Sequence, residues 1–344
     1  MFHRVDSRNH FLSVDIRREY ECMGKLNRKK IEWIIRELRK GELSVYAIAK
    51  IQHISQRWVR ELHRKYLKTG TYPYPGRPGR PRKPILPSES KKILVMKKKH
   101  PLSGAYTLEK LIDQEGHHIP HNRIHVELKA RGLAKNEPKK QQKRKYIRYQ
   151  RKHSNSLWHT DLFEDYLDGR IAVLFEDDAT RIITSAELMD RPTAANCIKA
   201  GKKGIRNFIS PKQMMSDHGT QFVSLPREGC PDPDPNNFQR WLEQEDILHI
   251  KARIKHPQSN GKIEKAGGTL RKLTAHFGSL RKAVHYYNFE RPHWSLDIDR
   301  CETPFKAYIR KMWPAKRYDF VHSHLSLVAK YAPEYLEYGI KGVK

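Results

Sequence analysis

The sequence predicts an α/β fold, a mixed five-stranded sheet with flanking helices, preceded by all-α modules. Three observations carry that prediction. Near residue 157 the hydrophobic period changes from the spacing of amphipathic helices to the alternation and short apolar runs of strands. The charge is uneven: residues 1–153 hold 39 Lys and Arg against 14 Asp and Glu, a surplus of 25, whereas residues 154–344 hold 29 against 24, a surplus of 5. In the second half, three consecutive strand signals precede alternating helix and strand signals.

The elements follow in order. Leu26, Ile31, Ile34, Ile35 and Leu38 recur at helical spacing and Gly41 supplies a stop. Ser44 caps a second helix through Ile51, and Ser55 opens a third that carries Arg57, Arg60 and Arg64. Three short helices with a basic last one predict a helix-turn-helix over residues 1–70, with those arginines facing DNA. A small helical bundle with a solvated basic face is the alternative.

Residues 71–87 are a Pro/Gly/Arg-rich linker that excludes helix and sheet. Its centre, Gly76-Arg77-Pro78-Gly79-Arg80-Pro81-Arg82, resembles an AT-hook, in which Arg77, Arg80 and Arg82 would lie in the minor groove; a semi-rigid basic spacer is the other reading. Residues 88–135 hold three more helix signals and predict a second, winged or helical, DNA-binding module. His117, His118, His121 and His125 lack a completing cysteine or carboxylate, which favours a metal-free cluster. Residues 136–153 form a basic connector.

From 154 to 312 the catalytic core is expected. Leu157 to Tyr166, Ile171 to Phe175 and Arg181 to Met189 read as an antiparallel meander whose first turn carries Asp168-Gly169. A helix from Thr193 to Phe208, a strand Gln213 to Ser216, a helix near Phe238 to Glu245, a strand His249 to Ala252 and a helix from Gly261 complete the order of an RNase H-like core. Residues 313–344 are expected to be a C-terminal tail.

Composition narrows the function classes. A formal charge of +30 predicts a polyanionic partner. No apolar run approaches the ~20 residues of a membrane span and no signal-peptide pattern opens the chain, so neither a membrane nor a secretory role is expected. The predicted location is cytoplasmic and nucleoid-associated. Cys22, Cys197, Cys230 and Cys301 are scattered and give neither a disulfide framework nor a zinc site.

Three carboxylates stand in distinctive settings: Asp161 in Trp158-His159-Thr160-Asp161, Asp217 in Ser216-Asp217-His218-Gly219-Thr220-Gln221-Phe222, and Glu264 in His256-Pro257-Gln258-Ser259-Asn260-Gly261-Lys262-Ile263-Glu264. With Asp177-Asp178-Ala179-Thr180-Arg181 and the closing Tyr287-Asn288, Arg291-Pro292-His293 and Leu296, these segments resemble, in the correct order, the catalytic core of the DDE transposases and retroviral-type integrases. The resemblance covers residues 157–295. It implies that Asp161, Asp217 and Glu264 are catalytic and hold two Mg²⁺ or Mn²⁺ ions, which suits an all-oxygen donor set.

What the resemblance implies further is DNA cleavage and strand transfer on double-stranded DNA, at element terminal repeats and a target, with a homo-oligomer forming during synapsis and no small-molecule substrate. Asn260, Lys262, Lys265 and Arg271 flank Glu264 and are expected to grip the DNA strand. Asp177 and Asp178 compete for the second position, but their place in a turn assigns them to turn structure or to support of the site. A DNA-binding regulator on a repurposed integrase fold and a metal-dependent nuclease that does not join are the competing readings. His218 stands where the family commonly has Asn, and the 47-residue step from Asp217 to Glu264 is longer than usual, with the proline-rich stretch 224–237 absorbing the surplus.

Overall fold

The computed structural model describes residues 26–74, 83–135, 150–225, 233–252 and 261–340. Two compact units emerge, one ending at Pro84 and the other running from Ile85 onward.

The first unit is three helices: α1 (Arg28–Lys40), α2 (Val45–Gln52) and α3 (Gln56–Thr69). Each is capped at its N-terminus by the side chain of the preceding residue, Asn27, Ser44 or Ser55, accepting a backbone N–H. Ile31, Ile34 and Ile35 meet Ile48, Val59 and Leu62 in one small core. The apolar stripe of α3 therefore faces inward, and Arg57, Arg60 and Arg64 lie on its exposed side.

The second unit begins with α4 (Pro87–Lys99), α5 (Ala105–Gln114) and α6 (His121–Ala130), which enclose their own cluster around Ile93, Leu108 and Ile124. They are fastened to the later part of the chain: the His100 ring meets the Tyr286 hydroxyl at 2.9 Å, Lys110 pairs with Asp299 at 2.8 Å, and the Gln114 amide donates to the Arg300 carbonyl. His118 and His121 sit against Asp113 and Glu109, each at the edge of this small bundle.

A sheet of five strands follows: β1 (Trp158–Leu167), β2 (Arg170–Asp177), β3 (Ile183–Met189), β4 (Gln213–Ser216) and β5 (Leu248–Lys251), in the spatial order β3-β2-β1-β4-β5. The first three are antiparallel, while β4 runs parallel to β1 and β5 parallel to β4. This is the RNase H-like arrangement that the element order predicts. Between β1 and β2 both Asp168 and Gly169 have positive φ, 53° and 73°, the conformation that makes Asp-Gly a tight hairpin signal.

Alternation along the strands separates two apolar layers. Trp158, Val173, Phe175 and Met214 face α7 (Ala194–Asn207) and α8 (Asn237–Gln244), where Phe238, Trp241 and Leu242 fill the layer. Ala172, Leu174 and Ile183 face the other way, onto α9 (Gly261–Phe277) and α10 (Leu280–Phe289). A Cβ at position 267 would overlap the Phe163 ring, so Gly267 lets α9 lie directly on β1. Asn288 of α10 holds β3 by accepting the Ile183 N–H at 2.9 Å and donating to its carbonyl at 2.8 Å.

The stretch read as a tail is helical and packed. After α11 (Pro304–Arg310) come α12 (Pro314–Ser323), α13 (Leu325–Tyr331), a short 3-10 turn (Pro333–Tyr335) and α14 (Glu337–Ile340). Phe320, Val321 and Val328 join Phe305, Tyr308 and Ile182 in a common cluster, and their burial keeps the segment on the core. From α11, Tyr308 reaches the start of β1: its hydroxyl accepts from the Asn155 amide and the Ile209 N–H, and its carbonyl accepts from the Ser154 hydroxyl. Asn155 in turn accepts the indole N–H of Trp158 at 3.0 Å.

Candidate active site

The strand period decides which way Asp161 faces. Trp158 belongs to the layer under α7 and α8, so His159, Asp161 and Phe163 point to the opposite face, where Phe163 packs in the α9 layer. Parallel pairing of Trp158 with Met214 and of His159 with Met215 brings Asp217, the residue after β4, alongside Asp161. Glu264 lies in the first turn of α9, the helix seated on β1.

The three carboxylates thus come from a strand, a strand end and a helix. Burial pushes the Asp161 carboxyl up to about 7; the Leu162 N–H, donated to its Oδ1 at 2.9 Å, opposes the rise, and the Asp217 and Glu264 carboxylates add to it. Asp161 therefore feels both of the others. Among the described residues, no three His, Cys, Asp or Glu side chains close into a coordinating cluster, and Glu264 is exposed. The donors fit a hard divalent cation by chemistry, since all are carboxylate oxygens and a cation would relieve their mutual repulsion.

The surroundings of Asp217 are ordered. Its Oδ1 accepts the Gly219 N–H at 3.0 Å, which shapes the turn. His218 donates its Nε2–H to the Ala252 carbonyl at 2.7 Å, so the imidazole ties this turn to the residue after β5.

A second group, expected from the sequence to be turn structure or support for the site, lies near Asp161. Asp177 accepts from the Asn155 and Thr180 N–H groups and from the Thr180 hydroxyl, closing the β2–β3 turn. Asp178, almost wholly buried, accepts the Nε2–H of His159 at 3.0 Å, the backbone N–H of Arg151 at 2.6 Å and the ammonium of Lys262. Burial disfavours its charge, yet these donors hold its carboxyl well below the usual carboxylate range. Burial lowers the pKa of His159, and the Asp178 carboxylate opposes that shift. Lys262 is two residues before Glu264, so this ion pair ties the first turn of α9 to the end of β2.

The remaining residues singled out from the sequence are dispersed. Arg271 donates to the Glu164 carbonyl at 2.7 Å and lies over the Tyr166 ring, while Lys265 is exposed on α9. In the first unit Arg60 contacts Gln56, Arg64 pairs with Glu61, and Arg57 is exposed. Arg77, Arg80, Arg82 and Asn260 lie outside the described residues.

Glu176 is a buried acid that sequence reasoning did not single out. It sits opposite His159 in the β1–β2 ladder, and neither carboxyl oxygen has a hydrogen-bond partner among the described residues. Burial pushes it up to about 8 from 4.5, with Arg181 opposing. Between those values the folded chain keeps a proton that the unfolded chain releases, so stability falls as pH rises from about 4.5 to about 8. Glu176→Gln should flatten that slope, removing at most about 5 kcal/mol of pH dependence. Urea unfolding over the same pH range checks this; parallel wild-type and variant curves would refute it.

No protein-family model matches the chain. It is 31% identical over 147 residues to the "Putative integrase ORF3" of Spiroplasma virus SpV1-C74, an alignment covering 38% of this chain and 40% of that protein. Over that stretch the chain is similar to an integrase. This match spans about two fifths of the viral protein's length. The chain also aligns with solved structures. The HTLV-2 integrase catalytic core in complex with magnesium gives a TM-score of 0.36 at 16% identity, over 45% of this chain and 96% of that one. For the BIV integrase catalytic core the values are 0.37, 17%, 45% and 95%. A simian T-cell lymphotropic virus intasome, in complex with PP2A regulatory subunit B56 gamma, gives 0.41 at 18% identity, over 63% of this chain and 74% of that one.

Among the described residues, no helix is long and apolar enough to cross a membrane.

Proposed function

We propose that this protein is a transposase or integrase of the DDE type, which binds double-stranded DNA at element ends and catalyses strand cleavage and strand transfer with Asp161, Asp217 and Glu264. The observation that carries this reading is the parallel β1–β4 register, which brings Asp217 alongside Asp161, together with the place of Glu264 in the first turn of the helix packed on β1.

Asp161 and Asp217, fixed on adjacent parallel strands, form the rigid part of the site, and Glu264 completes it from α9. Two Mg²⁺ or Mn²⁺ ions, if held there, would supply Lewis-acid activation of an oxygen nucleophile and neutralise charge at the scissile phosphate. The three carboxylates would hold the ions, each from a separate element of the fold. Water as nucleophile gives cleavage; a DNA 3′-hydroxyl gives joining. Arg57, Arg60 and Arg64 of α3, as a helix-turn-helix recognition face, would hold the element end, and Lys265 and Arg271 the strand nearer the site. Two DNA ends in one synapse imply a homo-oligomer.

The test is an assay of the full chain with labelled element-end DNA and a plasmid target, with Mg²⁺ or Mn²⁺ present and then chelated. Metal-dependent joined products are the expected result. Cleavage without joining would replace this reading by that of a nuclease. DNA binding with no metal-dependent cutting or joining would replace it by that of a regulator.

A further inference from the structure

Away from the three carboxylates, the chain around Arg151 and the α11–α12 junction enclose an open cavity of about 510 Å³ lined by Arg151, Lys152, His153, Arg310, Lys311 and Arg317. What sets it apart is how these cations are held. Arg310 is matched by a carboxylate, the buried Glu302, at 2.6 and 2.9 Å. The others rest on neutral acceptors. Lys311 donates to the Ala179 carbonyl at 2.6 Å, Arg317 to the carbonyls of Arg310 and Met312 at 2.8 and 2.9 Å, and Arg151 to the Gln213 side chain at 2.9 Å. Lys152 is exposed and has no ion-pair partner among the described residues.

Among the described residues, four positive charges therefore converge on one concavity with no carboxylate hydrogen-bonded to or ion-paired with their side chains, Glu302 and Asp177 acting on Lys311 only at longer range. Neutral carbonyls orient these groups while leaving their charge uncompensated, which is how a protein prepares a site for an anion that arrives from outside. Lys212, placed over the Trp313 ring at the α11–α12 junction, adds another cation nearby. Asp178 is already engaged by His159 and Lys262 and receives only the backbone N–H of Arg151.

We infer that this cavity is a phosphate site, and that the phosphate is a phosphodiester of DNA. The shared chemistry is a tetrahedral oxyanion with several acceptor oxygens, which matches forked arginine donors and lysine ammonium groups. An open mouth suits a polymer that passes across it. The Arg151 N–H on one oxygen of Asp178 and the Lys262 ammonium on the other tie the cavity's edge and the first turn of α9 to a single buried acid. DNA held here would lie beside the catalytic face and outside it.

The experiment uses the full chain without divalent metal, so that catalysis plays no part. Binding of a fluorescent duplex of arbitrary sequence is followed by anisotropy between about 50 and about 200 mM salt, for wild type and for Arg151→Gln/Lys152→Gln. Both residues are exposed, and an unchanged melting temperature shows that the variant folds. The slope of log K against log salt is expected to fall by about 2, and affinity at low salt by about tenfold. Unchanged slope and affinity would overturn the assignment to DNA. Inorganic pyrophosphate supplies the second arm: if it raises the melting temperature of wild type but not of the variant while duplex binding is unaltered, the site takes a small phosphate compound instead. Wild type failing to bind duplex at all would count against the proposed function, while the pyrophosphate arm would still judge the cavity.

Discussion

Glu264→Gln is expected to reduce metal-dependent cleavage and joining by at least about three orders of magnitude while leaving folding and DNA binding intact. The argument is chemical. The amide keeps the size of the side chain but removes the anionic oxygen, and a lost charged ligand costs several kcal/mol of transition-state stabilisation. Glu264 is exposed in the first turn of α9, so nothing in the core depends on its charge. Asp161→Asn should act as strongly, with one difference: it also removes the carboxyl that burial pushes up to about 7. Single-turnover assays at saturating DNA measure the loss, and full strand transfer by Glu264→Gln would sink the assignment.

The second large effect is expected at Lys262. Lys262→Met leaves Asp178, which is 1% exposed, without its ammonium partner. The carboxylate keeps His159 and the Arg151 N–H, so the cost falls below that of a fully orphaned buried charge, and a loss of about 2 kcal/mol in unfolding free energy is expected. Activity should fall about tenfold to a hundredfold beyond what stability explains, because the first turn of α9 loses its tie to β2 and Glu264 rides on that turn. Lys262→Arg should recover much of the stability. A tighter discriminator is metal dependence: loosened carboxylate placement raises the Mg²⁺ concentration at half-maximal activity, whereas loss of a simple DNA contact raises the DNA concentration instead. An unchanged metal requirement with weakened DNA binding would return Lys262 to the strand-gripping role its sequence context suggests.

Much of the core was legible because its signals are local. Asp168-Gly169 marks the first hairpin, the apolar run from Ile171 to Phe175 marks the central strand, and Thr193 caps α7 through the Asn196 N–H. The partnership of Asp178 with Lys262 was not legible, since 84 residues separate them and each has a simpler local explanation, a turn acid and a phosphate contact. Arg151 likewise reads as one more charge in a basic run, although its backbone closes on Asp178. The segment beyond residue 312 was underestimated for another reason. Its helices are short, and Phe320, Val321 and Val328 show their purpose only against Phe305 and Tyr308, which a local pattern does not reveal. For the first unit, the caps and apolar spacing foretold three helices, while the direction in which Arg57, Arg60 and Arg64 meet a ligand depends on the partner.

The clasp of Tyr308 on Ser154 and Asn155 bears on how the protein is made. These contacts join positions 153 and 154 residues apart. At about 5–20 residues per second, a ribosome needs about 8–30 s to synthesise the interval between them. Through that time the front strand has emerged while its anchor has not, and a pairing this distant in sequence is slow to close even once the chain is complete. The nascent chain thus secures the start of β1, the strand that carries Asp161, late, after the N-terminal helices have had ample time to fold.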